Sequence, residues 1–169
     1  MKAFMTSGTL DYLIKIDEQH PRLNLYFMHD GDNTIAYYED EDATIFDTPR
    51  EYQTVISKGT LKEDGFVVMN NIPVTDEGKP IFESQFKSRA GMIEETAGFY
   101  ALRVLRPLRG NKYVVMVQWQ DQKSYQNWKN SDAFTKSHQK AKKKKEKPSY
   151  SAGPSYAITY HMVDFEKEV

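Results

Sequence analysis

The chain has no cysteine. That absence excludes disulfides, thiolate nucleophiles and zinc–thiolate centres, and leaves His, Asp, Glu, Tyr and Met as the side chains able to hold a metal. Long apolar runs are also missing. No stretch approaches the ~20 residues of a membrane span. After Lys2, where a secretory signal would place an apolar core, Thr6, Ser7 and Gly8 intervene. The expectation is a soluble cytoplasmic protein with no membrane partner. Strong charge of one sign is absent too: the net charge is −1 and the sequence pI is about 6.4. Aromatics are not interleaved with the lysines, so the footprint of a nucleic-acid binder is missing and no nucleic-acid partner is expected. There is no G-x-S-x-G elbow, P-loop, G-x-G-x-x-G or H-E-x-x-H.

What remains is enough for a globular protein. The 169 residues are 39% hydrophobic and 28% charged, which excludes a wholly disordered chain and suits one domain or two small ones. The charge is unevenly spread. Residues 1–60 carry 5 basic and 11 acidic side chains, and the rest carry 18 and 13. An acidic block runs from Glu39 to Asp42, and seven lysines lie between Lys136 and Lys147. The lysine block suits either an anionic partner or a solvated helix end.

Hydrophobic periodicity divides the chain near residue 60. The first part, 1–60, reads as a strand over 2–7 and a helix opened by Thr9 or Gly8 and stopped by Pro21. Strands over 23–28 and 34–38 follow, joined at Asp30-Gly31-Asp32-Asn33. A short strand at 44–46 and a helix over 50–57, capped by Thr48-Pro49, complete it. The second part, 61–169, has strands over 65–71, 99–107, 112–119 and 155–165. Its helices are predicted over 80–90, with Ile81, Phe82 and Phe86 inward, over 122–129, and from Ser131 to about Lys145. This β-α-β-β-α-β order builds a four-stranded antiparallel sheet with helices on one face, a ferredoxin-like α+β unit. The first part is a shortened echo of it. The expected architecture is therefore two antiparallel sheets in one chain, packed as an internal pseudo-dimer with helices on the outer faces.

Few residues carry chemistry. His20 precedes Pro21 at a helix end, His29 sits at a hairpin mouth, His161 lies on the last strand, and His138 lies in a helix followed by lysines. On pattern alone a lone helical histidine reads as a surface residue, and Trp128 reads as core. Asn70 and Asn71 stand in an apolar strand, where Asn is disfavoured and needs partners if buried.

The stretch Gly65-Phe-Val-Val-Met-Asn-Asn-Ile-Pro-Val-Thr75, Phe86-Lys-Ser-Arg-Ala-Gly91, Arg103-Val-Leu-Arg-Pro107, Trp119 and the W-x2-S-D-x-F-x3-H spacing from Trp128 to His138 together resemble the antibiotic-biosynthesis-monooxygenase family. Within that family they are similar to the IsdG-type heme-degrading monooxygenases. The resemblance implies an Asn–Trp–His site. His138 matches the proximal iron ligand, and Asn70 matches the distal residue that hydrogen-bonds to the iron-bound oxygen species. Trp128 matches the bulky residue that distorts the porphyrin. Asn71 takes the place of a different residue in the single-domain enzymes. Heme b would be both cofactor and substrate, with O2 and an external electron donor, a reductase, completing the reaction. Arg89, Lys136 and Lys140 are the candidates for the heme propionates. Single-domain relatives dimerise through their sheets, so the extra N-terminal unit here implies a monomer with one heme site. Competing expectations are a heme carrier or sensor, a TRAP-like regulatory protein without turnover, and a cofactor-free monooxygenase acting on a phenol or quinone.

Overall fold

Eight strands close into one antiparallel barrel in a computed structural model that describes residues 1–89, 93–131 and 150–165, Arg89 by its backbone. In chain order the elements are β1 (Lys2–Gly8), α1 (Leu10–Gln19), β2 (Tyr26–His29), β3 (Thr34–Asp40), β4 (Arg50–Gly59), β5 (Phe66–Pro73), α2 (Lys79–Arg89), β6 (Phe99–Pro107), β7 (Lys112–Trp119), α3 (Gln122–Lys129) and β8 (Tyr156–Met162). A single 3-10 turn, Ile93–Glu95, precedes β6.

The strands lie in the order β1-β3-β2-β8-β5-β7-β6-β4 around the barrel. Four neighbours come from each half of the chain: β4-β1-β3-β2, then β8-β5-β7-β6. In each set the fourth strand lies beside the first, then the third, then the second. That is the ferredoxin-like order twice over, and the N-terminal copy lacks the helix before its last strand. Two seams join the sets. β4 pairs with β6 from Tyr52↔Pro107 to Gly59↔Ala101, and β2 pairs with β8 at Met28↔Met162 and His29↔His161. Closure leaves no sheet edge open among the described strands.

The helix expected over 50–57 is instead β4. The run Thr54-Val55-Ile56 is β-branched and favours extended backbone. Its partners on both sides, β1 and β6, are distant in sequence, so the Thr48-Pro49 cap signal is overridden by tertiary pairing. A bulge between Thr54 and Ile56 absorbs the bend where β4 turns towards β6. The strand expected at 44–46 is a loop, pinned by Ile45 N–H donating to the Tyr38 hydroxyl at 2.9 Å and by the buried Phe46 ring. Ile81, expected inward, is exposed, while Phe82 and Phe86 face the sheet. The helix expected from Ser131 lies outside the described residues.

Strand alternation sorts the core into three layers. The barrel interior holds Met5, Tyr37, Met69, Leu105, Met116 and Tyr160 among others. Outside the C-terminal sheet, Phe66, Val68, Phe82, Val115 and Trp119 pack under α2 and α3. Outside the N-terminal sheet, Phe4, Leu13, Phe27 and Tyr38 pack under α1. Helix α1 starts where Thr9, in extended conformation, accepts a hydrogen bond from Tyr12 N–H at 3.3 Å, and ends at His20 as its C-cap.

Candidate functional site

Two adjacent asparagines face opposite ways. On β5 the odd residues Val67 and Met69 point into the barrel, and Asn71 follows them. The even residues Phe66, Val68 and Ile72 belong to the outer layer, which puts Asn70 on the helix side. Asn71 is buried and its amide donates to Met69 O at 3.3 Å. Asn70 is half-buried, and its side-chain amide has no protein partner among the described residues. A half-buried amide without a protein partner is available to a ligand.

Asn70 sits between Val115 on β7 and Ala157 on β8. The outward residues of β8 beside it, Ala157 and Thr159, are small and exposed. On its β8 side the outer face is therefore a shelf of small side chains beside the Asn70 amide. His161 borders the shelf, its ring 5.1 Å from Phe66 and 6.3 Å from His29 across the β2–β8 seam.

Trp128 belongs to the same outer layer. It is carried by α3, whose start is fixed by Asp121: the carboxylate accepts from Ser124 N–H at 2.8 Å and Ser124 Oγ–H at 2.7 Å. These bonds hold the Asp121 carboxyl below its usual range. Gly98, with φ +85°, lets the preceding loop pass against Ser124; a Cβ there would collide with that side chain. The half-buried Trp128 ring lies 5.7 Å from the fully buried Trp119, at 37°. Phe99 meets Trp119 edge-on at 6.0 Å, and Tyr125 lies 6.3 Å from it. Trp119 Nε1–H is buried with no acceptor. Its place in the fold is thus decided by aromatic packing, not by a hydrogen bond.

Helix α2 forms the other wall and is tied to the sheet by one carboxylate. Glu83 accepts from Arg106 Nε at 2.9 Å and Nη2 at 2.7 Å, and also from the Tyr113 hydroxyl. The guanidinium holds the Glu83 carboxyl below its ordinary range, while burial and the neighbouring carboxylate push the Tyr113 phenol up. Phe82 stacks edge-on against Tyr113 at 4.7 Å directly beside this network.

The structure thus brings Asn70 and Trp128 onto one outer layer and sends Asn71 to the opposite side. His138, Lys136 and Lys140 lie outside the described residues, as does the Arg89 side chain. Among the described residues no group of three His, Cys, Asp or Glu could hold a metal. Sequence reasoning missed the buried pair Arg103–Glu39 inside the barrel, 2.9 Å apart, with Tyr37 hydroxyl also donating to Glu39 at 2.9 Å. Its signal was present: Arg103 alternates with Ala101 and Leu105 on an inward face.

Known proteins resemble this chain in sequence and in fold. The Antibiotic biosynthesis monooxygenase family matches residues 65–140. A Staphylococcus aureus relative named Signal transduction protein TRAP is 31% identical over 135 residues, covering 79% of this chain and 81% of its own. A Listeria monocytogenes relative named Heme-degrading monooxygenase is 26% identical over 130 residues, covering 77% and 78%. The solved structure of a major regulator of staphylococcal pathogenesis superposes with a TM-score of 0.84 at 22% identity, over 97% of this chain and 100% of that one.

Proposed function

The chain belongs to the antibiotic biosynthesis monooxygenase family, and on that premise we propose that it is an IsdG-type heme-degrading monooxygenase, opening the porphyrin ring with O2 and an external electron donor and releasing iron. The observation that carries the reading is the Asn70 amide, without a protein partner among the described residues, on the outer layer that it shares with Trp128. The Listeria relative's name supports it.

Each residue then has a definite task. His138 would hold the iron through a neutral imidazole. Asn70 would offer the bound group an amide hydrogen bond, which supplies orientation without a mobile proton. Trp128 presents a rigid ring to the macrocycle, backed by Trp119. Bound heme supplies the oxygen chemistry itself. A reductase is the expected electron source. The doubled strand order supports residues 1–60 and 61–169 as two units of an internal pseudo-dimer, acting as a monomer with one heme site.

A second reading, a TRAP-like regulatory protein without turnover, is favoured by the 31%-identical relative named for signal transduction. Hemin titration followed by ascorbate in air, with catalase present to remove free peroxide, separates the two. A saturable Soret band at one heme per chain that decays with iron release supports degradation. A saturable band that persists supports the carrier or regulator. Absence of a saturable band overturns heme degradation and leaves the regulatory reading, and a His138→Ala variant with an unchanged Soret position overturns His138 as the iron ligand.

A further inference from the structure

The barrel has a mouth of its own, across the sheet from the shelf. Where β4 begins and β5 ends, a cleft of about 680 Å³ opens between the 44–49 loop and the β6–β7 turn. Its volume lies within the ~300–1,000 Å³ of small-molecule sites. Asn71 faces it from the barrel interior, and Tyr52 joins it from β4. Both side chains are more than nine-tenths buried.

The polar groups at this end are under-used. The Tyr52 hydroxyl makes no hydrogen bond among the described residues, and neither does the hydroxyl of the buried Tyr160. Asn71 uses one amide N–H on Met69 O and leaves its other hydrogen-bonding capacity free. Arg50 faces both phenols, pulling their ionisation down against the burial that raises it. At the rim stand Arg50, Arg109 and Lys112, opposed by Asp47 and Glu51. Neither arginine has an ion-pair partner among the described residues. Lys112 Nζ donates to the Tyr156 hydroxyl at 3.1 Å, which holds the Tyr156 ring at the entrance.

The Tyr52 phenol O–H, an amide N–H of Asn71 and the guanidinium groups of Arg50 and Arg109 all present donors, and all four residues line the cleft together with Tyr156, Pro49 and Pro107. Such a set is complementary to an oxyanion carried on a flat apolar body. We propose that the barrel mouth is a second binding site, separate from the Asn70–Trp128 shelf, that takes a small aromatic carboxylate. The carboxylate meets Arg50 and the Asn71–Tyr52 floor, and the ring lies against Tyr156.

The test is calorimetric titration of the full chain with 2-naphthoate, alone and with hemin added first. The expected result is saturable binding at one site per chain, unchanged by hemin. Arg50→Ala combined with Arg109→Ala should weaken it by about tenfold, the loss of one charge-assisted contact. Tyr52→Phe should weaken it less, while Lys129→Ala, on α3, should leave it unchanged. Folding of each variant is checked by its far-UV spectrum and thermal midpoint. Absence of saturable binding to the wild-type chain overturns the proposal, as does full affinity in the folded double arginine variant. Displacement by hemin also overturns it, because that assigns the probe to the shelf. Failure of hemin to bind bears on the proposed activity alone and leaves this test intact.

Discussion

Trp119 and Trp128 face each other at 5.7 Å between ring centroids, the first wholly buried and the second half-exposed. The buried indole is the floor on which the exposed one rests. Trp119 Nε1 has no acceptor, so replacing this residue by Phe removes volume without orphaning a partner. Trp119→Phe should cost roughly 1–3 kcal/mol of stability, as large-to-small core changes do. It should also let Trp128 move, so hemin still binds while its degradation slows. Urea midpoints and Soret decay rates measure the two effects separately. A variant with lowered stability and wild-type decay would show that Trp128 needs no support from below.

Glu83 ties α2 to β6 and β7 through Arg106 and Tyr113. Its folded-state carboxyl titrates below the ordinary 4.5. A depressed carboxyl contributes stability that is present above its unfolded value and is lost as pH falls through the folded one. Glu83→Gln should therefore lower stability near neutrality, and its deficit should shrink as the pH falls to about 3, towards the depressed range of the folded carboxyl. Arg106 is partly exposed, so solvent screening limits the effect to about 1 kcal/mol. Urea unfolding at the two pH values checks it. An equal deficit at both would mean that the carboxylate's charge is not what holds the helix.

The C-terminal half was legible because its strands are long and its apolar residues regularly spaced. Phe99–Pro107 and Lys112–Trp119 are observed as read, and so is helix Gln122–Lys129. Strand β4 was not legible. The Thr48-Pro49 cap signal competes locally with the β-branched run Thr54-Val55-Ile56, and what decides for a strand is pairing with the neighbouring β1 and β6. The Asn70–Asn71 pair could be flagged from composition. Deciding between them needed the pleat, since a one-residue shift exchanges the two faces. Tyr52 falls in the segment expected as a helix, so its meeting with Asn71 at one mouth appears only once the barrel closes. Ile81 was expected inward, but the helix rotates to bury Phe82 and Phe86 instead.

Inside the barrel Arg103 is bound to Glu39 and donates to Lys58 O at 2.8 Å and Leu102 O at 3.0 Å. Removing the carboxylate alone leaves a buried cation with only carbonyls around it. Glu39→Ala should destabilise the chain by about 1–3 kcal/mol, less than breaking a fully buried pair from one side, because Glu39 is only partly buried. Glu39→Ala combined with Arg103→Met should recover part of that loss, because both charges are then gone. Thermal midpoints of the wild type, the single variant and the double variant decide. If the double variant is no more stable than Glu39→Ala, then Arg103 supports the barrel through its carbonyl bonds and not through the ion pair.

Asn70 and Asn71 permit the sharpest separation of roles, because one residue number moves the side chain across the sheet. Asn70 has no side-chain partner to lose among the described residues, so Asn70→Ala should leave stability within about 0.5 kcal/mol, as for surface changes. On the proposed activity it should bind hemin and degrade it slowly. Asn71→Ala empties a buried position and removes the bond to Met69 O, so it should cost about 1–2 kcal/mol. Its hemin degradation should match the wild type, since its side chain points into the barrel. Soret decay and urea midpoints on the same two samples give a crossed pattern. An Asn71→Ala variant that loses turnover while Asn70→Ala keeps it would move the reactive face from the helix side of β5 to the barrel interior.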